Sequence, residues 1–140
     1  GWDTHQDNFN QLGRQLLPNL DQSLSAMFDR FGEQGRLDST AILVTGEFGR
    51  TPKVNKNAGR DHWARAMCSL MAGGDVRSGQ YIGETDDKAA GPVGNGFTPD
   101  DLAASFFQNI GIDPKTEYNA NVGRPITLIR DGSTIPGLLT

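Results

Sequence analysis

The sequence predicts an α/β fold with parallel strands. Three features carry that expectation: a long amphipathic helix, a glycine turn, and a short apolar run behind the turn. Between residues 7 and 31, apolar side chains recur at Phe9, Leu12, Leu16, Leu20, Leu24, Met27 and Phe31. Steps of three and four residues place them on one helical face. Gly32 and Gly35 supply the stop. Ala41 to Thr45 then form a nearly continuous apolar run, the pattern of a strand buried on both faces. Helix, tight turn and buried strand in succession suggest a layered fold with a parallel sheet.

The remaining elements follow in order. Pro18 falls inside the helical pattern and must kink the helix or begin a second one, because it lacks an N–H and its ring crowds the preceding turn. KVNKNAGRDHW is polar and glycine-bearing, hence a loop. Ala66 to Ala72 is a second apolar run of strand length, stopped by Gly73 and Gly74. A third, weaker strand is expected around Gln80 to Gly83, and residues 84–97 (ETDDKAAGPVGNGF) read as an irregular surface loop. TPDDLAASFFQNIGI announces a helix, with Thr98 as N-cap, Pro99 at the first helical position and acidic residues in the first turn. Its expected buried face is Leu102, Ala103, Phe106, Phe107 and Ile110, and Gly111 ends it. The tail, RPITLIRDGSTIPGLL, predicts one more short strand or a β-hairpin.

At 140 residues the chain is one domain or part of one. A chain of this size can bury about 70% of the surface its unfolded form exposes. The net charge is −4 and no Lys/Arg cluster occurs, which argues against a nucleic-acid partner. No apolar run reaches the roughly 18 residues of a membrane span, so no membrane partner is expected. The single cysteine, Cys68, lies in the apolar run AMCSLMAGG and is expected to be a buried small hydrophobe. The chain opens on GWDTH, two metal-ligand side chains with no structure leading in. That opening predicts a chain starting inside a larger domain, so that residues 1–140 form a single partial domain. A sheet lacking upstream strands would show an open edge, through which a homodimer could form.

The candidate chemistry gathers around the two histidines. Asp3 and His5 are two residues apart, a spacing that puts them on one face of an extended segment. Asp61 and His62 are adjacent in a loop, and Glu47 follows the first predicted strand. In open α/β sheets the carboxyl ends of the strands are where ligands bind. Asp3, His5, Glu47, His62 and Asp61 are therefore the candidate metal ligands. Imidazole nitrogen with carboxylate oxygen suits zinc, manganese or iron. Asp61 has an alternative role behind the ligands, fixing the tautomer of a ligating histidine. Arg50 and Arg60 flank these segments and could hold an anionic substrate group, or Arg50 could pair with Glu47.

The stretch DQSLSAMFDRFGEQGRLDSTAILVTGEFGR resembles the pattern of sulfatases and the wider alkaline-phosphatase superfamily. GWDTH, GEFGRTP, GRDHW, the AGG after the second predicted strand, and TPDDLAASFFQNIGID are similar to bacterial sulfatase-like proteins grouped as a domain of unknown function. The resemblance covers nearly the whole chain, with its motifs in the same order. It implies the C-terminal half of an α/β/α sandwich of the alkaline-phosphatase-like type, with a mostly parallel sheet and metals at the strand ends. Asp3 and His5 would match a first ligand pair, Glu47 would stand where the superfamily has an aspartate, and His62 would match the late histidine ligand. Phe48 occupies a place where the superfamily commonly has His or Asn. The implied activity is metal-dependent hydrolysis of a small anionic sulfate or phosphate ester, with zinc or manganese as cofactor. The resemblance places the nucleophile upstream, so this segment alone would be inert, and its partner would be the N-terminal half of the parent domain. The alternative is a non-catalytic binding or scaffold domain with a degenerate metal site. Export by a twin-arginine signal in similar proteins implies a parent working outside the cytoplasm.

Overall fold

The computed structural model describes residues 1–94, 96–119 and 123–140. The first helical stretch is interrupted as Pro18 requires. Helix α1 (Asn8–Gln11) runs into a π-helical turn (Leu12–Leu16) and then into α2 (Leu17–Glu33). A proline at position 18 cannot donate to the carbonyl four residues back, and its ring pushes that carbonyl away. The wider turn absorbs the mismatch: the Leu17 N–H reaches Leu12 O, five residues behind it. A 3-10 turn (Leu37–Ser39) then leads to β1 (Ile42–Val44).

The strands overturn the expected parallel sandwich. The described residues hold three two-stranded antiparallel pairs and no parallel sheet. β1 pairs with β4 (Leu70–Ala72) in the register Ile42 to Ala72 and Val44 to Leu70. β2 (Gly49–Arg50) pairs with β3 (His62–Trp63), and β5 (Glu117–Asn119) with β6 (Pro125–Thr127). An apolar run states that a strand packs, and it does not state the direction of its partner. Here the end of β4 is held beside the start of β1, the antiparallel arrangement. Gly73 has φ 77°, and a Cβ on it would lie 2.0 Å from Thr40 O. The chain thus doubles back against the start of β1, aided by the Gly74 N–H bond to Leu37 O.

Other expectations shift with it. The apolar run at 66–72 pairs only over Leu70–Ala72, and Cys68 is exposed rather than buried. Residues 80–83 form no strand. The tail supplies β6 and a bridge from Leu139 to Val76.

Helix α3 (Pro99–Asn109) begins as the sequence demands, with a complete capping box: the Thr98 side chain accepts from the Asp101 N–H while the Asp101 carboxylate accepts from the Thr98 N–H. Its buried residues are Ala104 and Ser105, with Ile110 exposed. The reason is the tail, which crosses α3 where its side chains are small. The Ile135 N–H donates to Ser105 Oγ, and the Ser133 N–H donates to Asp101 Oδ1. Asn109 ties the other end of α3 to the Gly73–Asp75 turn.

The core this leaves is small. Ala104 and Ile135 are the buried apolar residues among those described. Total exposed surface is 9997 Å², where a compact chain of this mass would show roughly 7,000 Å². The apolar stripe of α2 at Leu20, Leu24, Met27 and Phe31 is only half-buried, and Tyr81, Phe9 and Tyr118 are among the large apolar side chains left exposed elsewhere. Among the described residues no helix is long and apolar enough to cross a membrane.

Candidate metal centre

Two chain segments far apart in sequence are clasped together by main-chain bonds. The N–H groups of Asp7 and Asn8 donate to Asn57 O and Ala58 O, and the Arg60 N–H donates to Thr4 O. Gly59 makes the approach possible: a Cβ there would lie 2.0 Å from both the carbonyl carbon and the oxygen of His5. Arg60 locks the loop from inside by donating to Thr51 O and Pro52 O. Its guanidinium also lies 5.4 Å from the Phe9 ring. The β2–β3 pair then sets His62 opposite Arg50.

The result is a triangle of potential ligand atoms. His62 Nε2 is 2.9 Å from Asp3 Oδ1, His5 Nε2 is 3.1 Å from the same oxygen, and the two Nε2 atoms are 3.1 Å apart. Ligand atoms bonded to zinc at about 2.0–2.1 Å stand about 3.3 Å apart in a tetrahedral site and about 2.9 Å apart at right angles. The triangle falls within that interval. Asp61 sits behind it, its Oδ1 at 2.8 Å from His5 Nδ1. Arg50 donates to Asp3 Oδ1 at 2.5 Å and to the carbonyls of Trp2 and Arg60. The Phe48 ring packs on His62, with centroids 4.1 Å apart.

The protonation of the two rings decides which of these contacts are hydrogen bonds. A neutral imidazole carries one N–H. If His5 Nδ1–H is given to Asp61, Nε2 presents a lone pair. Asp3 Oδ1 already receives Arg50, and His62 Nε2 lies within donor reach of it. The His5 lone pair then faces both the Asp3 oxygen and His62 Nε2, each 3.1 Å away, and the single His62 N–H is shared between Asp3 Oδ1 and His5 Nε2. Either a proton on His5 or a metal cation relieves the contact with the oxygen. The Asp3 carboxyl is held at about 2, below the ordinary 3.8, first by the His62 bond and then by Arg50. Asp61 is also lowered, chiefly by His5 and then by Asn55. Both groups are therefore ionised, acceptor-only carboxylates at neutral pH.

The sequence-derived candidates thus separate. Asp3, His5 and His62 converge, and Asp61 takes the position behind a ligand. Glu47 is exposed and makes no side-chain hydrogen bond or ion pair among the described residues. Arg50 pairs with Asp3, not with Glu47. Asn55, at the heart of the loop, was not singled out by sequence reasoning. The available signal was the Asn-rich turn composition of KVNKNAG, which favours side-chain bonds to the local backbone.

The family described as protein of unknown function (DUF1501) matches residues 1–139. The chain belongs to that family. No curated protein and no solved structure matches the chain. What the DUF1501 segment offers chemically is thus read from its own residues: two imidazoles and a carboxylate in mutual contact, open to solvent, with a carboxylate and a guanidinium behind them.

Proposed function

We propose that this corner binds a divalent metal ion, zinc or manganese, and that the segment contributes it to hydrolysis of a small anionic ester. The carrying observation is the mutual approach of Asp3 Oδ1, His5 Nε2 and His62 Nε2. In this reading those three residues hold the ion, Asp61 orients His5, and Arg50 orients Asp3. A bound ion would supply Lewis acidity toward an ester oxygen or a water molecule. Three protein ligands at a solvent-facing corner leave room for such a group, as catalytic sites do. No Ser, Thr or Cys side chain hydrogen-bonds Asp3, His5 or His62 among the described residues, so the segment is assigned holding and orienting roles and no nucleophilic step.

The packing of Phe48 on His62 supports a second reading, a non-catalytic scaffold in which the same residues form a polar clasp. Calorimetric titration of the whole chain with zinc separates the two. The metal reading expects stoichiometric uptake that His62→Ala abolishes. Failure of the unmodified, folded chain to take up zinc or manganese would leave the clasp.

A further inference from the structure

We infer that Asn55 is a positioning residue of this centre: it holds Asp61 and the His5 backbone in the arrangement that turns the His5 Nε2 lone pair toward the site. The inference rests on the metal reading given above. An Asn side chain has two N–H donors and two acceptor sites. Asn55 uses all four. Its Oδ1 accepts from the Asn57 and Gly59 N–H groups, each at 2.9 Å, which closes the loop on itself. Its Nδ2 points the other way, donating to His5 O and to Asp61 Oδ1, each at 3.0 Å.

The donor pair therefore grips His5 from two sides. One bond holds the backbone from which the ring projects. The other lands on the same Asp61 oxygen that meets His5 Nδ1. A carboxylate oxygen offers roughly two in-plane lone pairs. With Asn55 on one, Asp61 can rotate away from His5 only by breaking that bond as well. The imidazole is thus kept as the Nδ1–H tautomer, with Nε2 free for the ion, as outer partners of ligating histidines do. The acceptor pair does a separable job, because it shapes the loop and touches neither His5 nor Asp61.

That separation makes the test. Asn55→Asp retains both acceptor bonds and removes both donors. Its added negative charge would by itself strengthen cation binding, so a weakening reads lost orientation. We expect its zinc dissociation constant to rise about 10–100-fold, the usual cost of losing an outer partner of a ligating histidine, with a lower metal-free melting temperature, because the new carboxylate faces the Asp61 and His5 oxygens. The neutral Asn55→Ala variant should lose as much affinity and also melt earlier. In parallel, long-range nitrogen NMR on the metal-free proteins at about pH 8.5, where an ordinary imidazole is neutral, reads the His5 tautomer. The unmodified chain should show Nδ1–H, and Asn55→Asp a mixture. Unchanged zinc affinity in the neutral Asn55→Ala variant, with an unchanged His5 tautomer in Asn55→Asp, overturns the inference while leaving the metal reading intact. If the unmodified chain takes up no zinc, the metal reading fails and the positioning of a ligand falls with it. The NMR arm then decides whether Asn55 governs the tautomer at all, and an unchanged tautomer removes that role too.

Discussion

Asp3 and Asp101 are both held at about 2, yet they stand in regions of opposite character. Asp101 is lowered first by the backbone N–H of Ser133, then by the N–H and hydroxyl of Thr98. Its partners are the helix cap and the tail that clasps α3, and neither imidazole nor cation is among them. Asp3 is lowered by an imidazole and a guanidinium brought in from distant parts of the chain. The same perturbation thus marks a structural joint in one place and a candidate site in the other. A depressed carboxyl says only that donors surround it. The identity of the donors says what it is for: backbone N–H groups build a fold, while lone-pair-bearing rings can trade a proton for a metal.

The sharpest way to break this comparison is to exchange the two tests. Asp3→Asn should weaken zinc binding by well over the roughly 10–100-fold expected of an outer partner, because it removes a ligand, and should change thermal stability little. Asp101→Asn should leave zinc affinity within error and lower the melting temperature. Calorimetry and melts on both variants check the crossing. If Asp101→Asn weakened zinc binding as strongly, the two regions would be one system and the contrast would be lost.

A smaller effect tests whether the clasp over α3 is a true core. Ile135 is 8% exposed and packs where Ser105 and Ala104 are fully buried. Ile135→Ala should cost about 2–5 kcal/mol by urea unfolding, and Thr98→Ala, which removes the cap, about 1 kcal/mol. Leu24→Ala on the half-buried face of α2 should cost less than Ile135→Ala. A reversed order would mean that α2, not the α3 clasp, carries the stability.

The smallest effect is in acid. Both carboxyls titrate lower in the folded chain than the ordinary 3.8. Each therefore contributes stability that is present above that value and is lost as pH falls toward about 2. In metal-free melts between these limits, Asp3→Asn and Asp101→Asn should each remove part of the acid sensitivity. Added salt should shrink the Asp3 part, since exposed ion pairs are screened, more than the Asp101 part, which rests on short bonds to backbone donors. Equal salt dependence would erase the distinction.

What the chain alone could tell follows from the range of each interaction. The N-cap at Thr98, the break at Pro18 and the apolar period of α2 arise among residues a few positions apart, and they were legible. The buried face of α3 was not, because the tail chose the small side chains of Ala104 and Ser105 over the bulky ones. Strand direction was hidden for the same reason, since the apolar run at Ile42–Val44 is indifferent to whether its neighbour runs with it or against it. The histidines were visible as candidates from their acidic neighbours, and so was the chance that Asp61 stands behind a ligand. Their convergence was expected too, but at the strand ends of a parallel sheet, which the described residues do not form. His5 and His62 lie 57 residues apart, and only the folded loop at 55–60, seated on a glycine against the His5 backbone, brings the two rings together, tilted at 45° with centroids 4.7 Å apart.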